Sequence, residues 1–100
     1  MIINRISLKA IEVDVLELFS TAKDIKGFPQ EVLAFEANVS RLCILYVARR
    51  KGYTLKQIGE VVGGSKSTIF KNFQLADKAI RGGESPLKTC LSICRQRLSC

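Results

Sequence analysis

The side chains best suited to chemistry lie between Gly63 and Lys78, where the chain reads GGSKSTIFKNFQLADK. Ser65, Ser67 and Thr68 offer hydroxyls, Lys66 and Lys71 offer ammonium groups, and Gln74 offers an amide. Such groups donate hydrogen bonds to phosphate oxygens and base edges, whereas catalysis asks for other sets of residues. Histidine is absent, so a nucleophilic cysteine lacks its usual base. No convincing carboxylate pair stands out. The run GGSKST places Lys66 beside Ser67, but the Gly-x4-Gly spacing of a phosphate loop does not precede it. An enzyme, an ATP site, a small-molecule substrate and a cofactor are therefore not expected.

The elements that position these groups are legible nearby. Thr54 is a good N-cap, and Gln57 falls where a capping box needs a side chain that reaches back, which predicts a short helix from Thr54. Gly63 and Gly64 end it, and Ser65 caps a second helix. In that helix Ile69, Phe73, Ala76 and Ile80 share one stripe, predicted to face inward. Ser67, Lys71, Gln74 and Lys78 lie on the opposite side, with two positive charges and no acidic residue. Two short helices joined by a glycine turn, the second one basic outside, is the pattern of a helix-turn-helix DNA reader. A plain solvated helix face is the bland alternative.

The 100 residues suit one domain with a single core, and 47% hydrophobic with 25% charged residues is ordinary globular composition. The net charge of +7 is uneven. Residues 1–40 hold four basic and six acidic side chains (−2), residues 41–78 eight and two (+6), and residues 79–100 four and one (+3). A cluster of this sign attracts a polyanion, with nucleic acid first and an anionic membrane second. Glu12, Asp14 and Glu17 interrupt the apolar N-terminal stretch, so no signal peptide is read there and the protein is expected in the cytoplasm. No apolar run approaches the roughly 20 residues of a membrane span. The cysteines are Cys43, Cys90, Cys94 and Cys100. Cys90 and Cys94 are one helical turn apart, a spacing that suits a metal, but structural zinc takes four ligands and Cys43 falls in a very apolar segment. Free thiols are the reading, and no metal is expected.

Along the rest of the chain, Leu8, Ile11, Val15, Leu18 and Phe19 recur at helical spacing and predict an amphipathic helix over residues 7–19. A turn with a short helical piece around Asp24 follows, and Pro29 begins a short helix over residues 29–36. Val39 to Ala48 is apolar at eight of ten positions and should form the central core helix, ended by Gly52. Arg49, Arg50 and Lys51 sit where cations favour a helix C-terminus. Gly82 and Gly83 form a hinge, and Ser85 with Pro86 starts a last helix whose Leu87, Leu91, Cys94 and Leu98 share a face. That tail could dock on the body, pair with a second copy to make a homodimer, or stay loose.

Arg41 to Arg49 reads RLCILYVAR and Thr54 to Gly64 reads TLKQIGEVVGG. These resemble, in order, the RQIAMYLAR and SLPEIGxxFGG segments of the C-terminal DNA-binding domain of the bacterial replication initiator DnaA. The likeness covers roughly residues 8–80. It implies an all-α fold, a compact bundle of about five to six helices, with the second helix of the helix-turn-helix in the major groove. It also implies backbone contacts from Arg41 and Arg49, with Lys56 beside the DNA and Ser65 to Ile69 in the base-reading place. The family signature GGRDHTT is GGSKSTI here, and the family's minor-groove arginine aligns with Leu33. The fold is expected to carry over and the recognised sequence to differ.

The expected organisation is a helix-turn-helix domain over residues 1–83 and a basic amphipathic helix or tail over residues 84–100. The expected function is double-stranded DNA binding by a small regulator of transcription or an accessory factor of replication initiation. Arg41, Arg49, Lys56, Ser65, Lys66, Ser67, Thr68 and Lys71 are its DNA-binding residues, helped by Arg50 and Lys51 on phosphate. The alternative is a protein-interaction module that has lost DNA binding on the same scaffold, favoured if Leu33, Phe35 and Phe70 form one exposed apolar patch.

Overall fold

Local hydrogen bonds start each helix. In the computed structural model, which describes residues 7–98, helix α1 spans Leu8–Ser20, and the Ser7 side chain accepts from the Ala10 amide to cap it. Its five predicted inward residues, Leu8, Ile11, Val15, Leu18 and Phe19, are all buried. A single 3-10 turn follows at Ala22–Asp24. Phe28 then folds back so that its ring meets Phe19 edge to face, with centroids 5.6 Å apart.

The segment after Pro29 is a 3-10 helix over Gln30–Phe35, not an α-helix. No side chain caps its start, and of its six residues only Val32 is buried. Too little apolar surface is gained there to hold a regular α-turn, and the tighter 3-10 form is the usual outcome in short connectors. Gln30 further ties the segment down by donating to the Ala22 and Phe28 carbonyls.

Helix α2 spans Glu36–Arg50 and is the centre of the molecule. It starts three residues before the apolar run, with Glu36 in its first turn, where the helix macrodipole favours a carboxylate. Every residue from Leu42 to Ala48 is buried, so the helix is enclosed around its circumference. The remaining four α-helices all pack on it: α1, α3 (Leu55–Val62), α4 (Lys66–Arg81) and α5 (Pro86–Arg97). The fold is all-α, with five α-helices and no strand among the described residues.

The predicted Thr54–Gln57 capping box is present in full. The Gln57 amide donates to Thr54 Oγ1 at 3.1 Å, and Gln57 Oε1 accepts from the Thr54 amide at 2.8 Å. Helix α5 begins as the sequence indicates, with Ser85 as cap and Pro86 in the first turn. It docks on α2 and α4 and buries Cys90, Leu91 and Cys94 completely, so its inner face joins the common core. Cys100, the fourth cysteine, lies outside the described residues.

Candidate nucleic-acid interface

Helices α3 and α4 are joined by three residues, Gly63, Gly64 and Ser65. Both glycines have positive φ, 84° and 102°, a backbone conformation that side chains with a Cβ rarely adopt. At Gly64 space is also closed, because an added Cβ would lie 2.8 Å from Arg41 Nη2. The helices themselves approach closely where α3 has Gly59, since a Cβ there would meet Ile69 Cγ1 at 3.3 Å. Ile58 on α3 and Ile69 on α4 are both fully excluded from solvent beneath this contact.

Ser65 caps α4 with its Oγ, which accepts from the Thr68 amide at 3.2 Å and lies 3.0 Å from the Thr68 hydroxyl. The Thr68 side chain is thereby tied to the cap. Lys66 and Ser67 open the helix, and their amides belong to the first turn, which has no intrahelical acceptors.

Lys66, Ser67, Phe70, Lys71 and Gln74 line one shallow groove along the outer face of α4. Lys66 also borders a second depression with Leu55, Lys56, Gly59, Glu60 and Gly64, so Lys56 joins the same surface from α3. Among the described residues, Lys56, Lys66 and Lys71 are engaged in no ion pair; the two pairs found are Lys9–Glu12 and Arg81–Asp77. Three ammonium groups outside any ion pair on one side of the α3–α4 unit, against Glu60 as the acidic residue bordering them, give it a net positive field.

Two of the expected phosphate ligands also hold partners within the protein. The half-buried Arg41 donates from Nη1 to the Val62 carbonyl at 3.2 Å and from Nη2 to the Gly63 carbonyl. These are orphan acceptors at the C-terminal end of α3, so Arg41 braces the α3–α4 turn. Arg49 is exposed, but its Nη1 donates to the Tyr53 carbonyl at 2.8 Å and its guanidinium lies 5.7 Å from the centre of the Phe73 ring. It clamps the α2–α3 loop to α4. Arg50 lies similarly over the Tyr46 ring, at 5.9 Å.

The inward stripe of α4 is narrower than its spacing predicts. Ile69 and Ala76 are fully buried and Ile80 is half-buried against the core, but Phe73 is only half-buried, under Arg49. Phe70, which the sequence places among neither the inward stripe nor the polar one, is 50% exposed at the centre of the lysine groove. The available signal for it was an aromatic one position off the core stripe of a polar helix.

The structure also brings together three groups for which the sequence predicts no joint role. The sulfurs of Cys43, Cys90 and Cys94 lie within 4.8 Å of one another in the core. The hydrogen bond with Cys90, the one with Cys94 and then burial push the Cys43 thiol well above its usual range. Cys90 is pulled down by its hydrogen bonds with Cys43 and Cys94, against the effect of burial.

Comparison with protein families, with characterised proteins and with solved structures finds no match for this chain. Among the described residues no helix is long and apolar enough to cross a membrane.

Proposed function

We propose that this chain binds double-stranded DNA through a helix-turn-helix formed by α3 and α4, with the outer face of α4 in the major groove. The observation that carries the reading is the unpaired lysine surface of Lys56, Lys66 and Lys71, built around the exposed N-terminal half of a helix that a bracing arginine and two glycines hold in place. Ammonium groups in this arrangement neutralise phosphate, and the open amides at the start of α4 suit a phosphate oxygen. Ser67 and Gln74 face the base edges, where glutamine favours the donor and acceptor edge of adenine, while Lys71 lies against phosphate. Phe70 between them offers an apolar surface to thymine methyl groups. Ser65 and Thr68 serve mainly as the cap that orients α4, and Arg41 as the brace of the turn. The resemblance to the DNA-binding domain of DnaA points the same way, and the biological setting that fits it is a small cytoplasmic regulator of transcription or of replication.

The interaction-module reading is favoured if Leu33, Phe35 and Phe70 share an exposed apolar patch, and of these Phe35 and Phe70 are exposed. Leu33 packs partly into the core, and the walls of the Phe70 groove are two lysines, a serine and a glutamine. The ammonium, hydroxyl and amide ends of these side chains suit an anionic, hydrogen-bonding partner, while most of the surface lining the groove is apolar carbon.

The test is fluorescence-anisotropy binding to a random-sequence duplex across a salt titration, comparing the wild type with the Lys66→Ala/Lys71→Ala pair. With Arg49, Lys56, Lys66 and Lys71 on phosphate, log affinity should fall against log salt with a slope of about −3 to −4. The double variant should flatten that slope by about 2 while keeping its helical circular dichroism. A wild-type slope near zero refutes the proposal.

A further inference from the structure

Away from the α4 surface, the densest set of reactive groups is closed inside the bundle. Cys43 comes from the central helix α2, and Cys90 and Cys94 come from successive turns of α5, on the face that docks against it. All three side chains are fully excluded from solvent. The Cys43 and Cys90 sulfurs are 3.8 Å apart, and all three sulfurs lie within 4.8 Å of one another.

We propose that Cys43, Cys90 and Cys94 form a three-coordinate sulfur site for a soft, thiophilic metal ion, with Cu(I) as the ion it suits. An ion at the centre of a sulfur triangle, with metal–sulfur bonds of about 2.3 Å, holds its ligands about 4.0 Å apart. The observed triangle already has one edge near that length, and closing the others takes rotamer adjustments of under about 1 Å. The spacing of Cys90 and Cys94 puts two donors on one face of a rigid helix, so the site is largely assembled once α5 docks.

The donor set selects the ion. Histidine is absent from the chain, and among the described residues no carboxylate joins the sulfurs. Magnesium, calcium and manganese want oxygen ligands, and structural zinc wants four donors, whereas all-thiolate sites favour Cu(I). Burial denies the ion a water ligand. As the three S–Cu bonds form with α5 displaced, the three thiols release their protons to solvent, and copper stays Cu(I) throughout. The closed site then carries a net charge of −2, whose burial the S–Cu bonds must outweigh. The way in is the α4–α5 connection, where Gly82 and Gly83 are exposed. Displacing α5 about them uncovers the sulfurs.

The experiment loads the reduced full chain with acetonitrile-stabilised Cu(I) in the presence of a competing Cu(I) chelator. The expected result is one copper per chain retained through gel filtration, thiolate-to-copper charge-transfer absorption in the ultraviolet, a raised melting temperature and three sulfur neighbours in copper X-ray absorption. Cys43→Ser and Cys94→Ser should each lose the ion, and Cys100→Ser should keep it. Because a serine hydroxyl in the core can itself unfold the bundle, Cys43→Ala and Cys94→Ala are measured alongside, with circular dichroism to establish folding. Transfer of all copper to the chelator by the folded wild type overturns the proposal. So does a site with two sulfurs, or one that folded Cys43→Ala or Cys94→Ala retains, or that Cys100→Ser abolishes.

Discussion

Replacing Arg41 by methionine separates its two possible roles, because methionine keeps the aliphatic bulk and removes the donors. In the structure the guanidinium serves two carbonyls at the end of α3, those of Val62 and Gly63. Hydrogen bonds from a charged donor are worth about 1.5 to 3 kcal/mol in buried settings. One of these two is part-buried and the other exposed, so we take about 1.5 to 3 kcal/mol for the pair together. For a domain of this size that lowers the melting temperature by about 6 to 24 °C. Gly64→Ala supplies the second arm of the test. Its new Cβ would fall 2.8 Å from Arg41 Nη2 and must push the guanidinium off the turn, in addition to the strain of a non-glycine residue at a φ of 102°. Once Arg41 is methionine only the strain remains, so Gly64→Ala should cost about 1 kcal/mol less in that background than in the wild type. The assay is urea unfolding followed by circular dichroism for the four proteins of the cycle, with the salt slope of DNA binding measured on each folded variant. If Arg41→Met changes stability by less than about 0.5 kcal/mol while flattening the salt slope by about 0.9, Arg41 is a phosphate ligand and the bracing role is wrong.

The difference between Ile69 and Phe73 is open to the same unfolding assay. Ile69→Ala removes a fully buried side chain and should cost about 2 to 5 kcal/mol, whereas Phe73→Ala removes a half-buried ring and one cation–π contact and should cost about 1 to 2 kcal/mol. Equal losses would place Phe73 in the core. For Phe70, binding to an A·T-rich duplex is compared with the same duplex carrying deoxyuridine in place of thymidine. One methyl group packed on the ring is worth about 0.8 kcal/mol, so the wild type should prefer thymidine about fourfold, and Phe70→Ala should lose the preference with an unchanged salt slope. A preference that survives in Phe70→Ala assigns it to another residue.

Much of the helical framework can be read from neighbouring residues alone. Ser7, the Thr54–Gln57 pair, Ser65 and Ser85 with Pro86 mark helix starts because each satisfies amides within three positions of itself. The burial of Leu8, Ile11, Val15, Leu18 and Phe19 follows from their spacing on one helix. The 3-10 form of Gln30–Phe35 was less legible, because it depends on how little of that segment the core covers. The lysine groove is legible in part. Ser67, Lys71 and Gln74 fall on one face by periodicity, as does Lys78, which does not line the groove, but the union of the first three with Lys56 depends on how α3 lies against α4.

What the sequence determined by itself is therefore the set of interactions that close within about one helical turn: caps, stripes and the glycines that break helices. Arg41 illustrates what it could not determine. The family resemblance implies a DNA-backbone contact for it, and its hydrogen-bond partners within the protein are 21 and 22 residues further along the chain. Cys43 meets Cys90 across 47 residues, a contact that exists only because α5 docks on α2. Phe73 shares the spacing of buried residues, but the guanidinium of Arg49 takes the place of a core wall above it. Periodicity states which face of a helix a side chain occupies. Only packing between helices decides what that face meets, because each such contact depends on the placement of two elements that no local interaction couples.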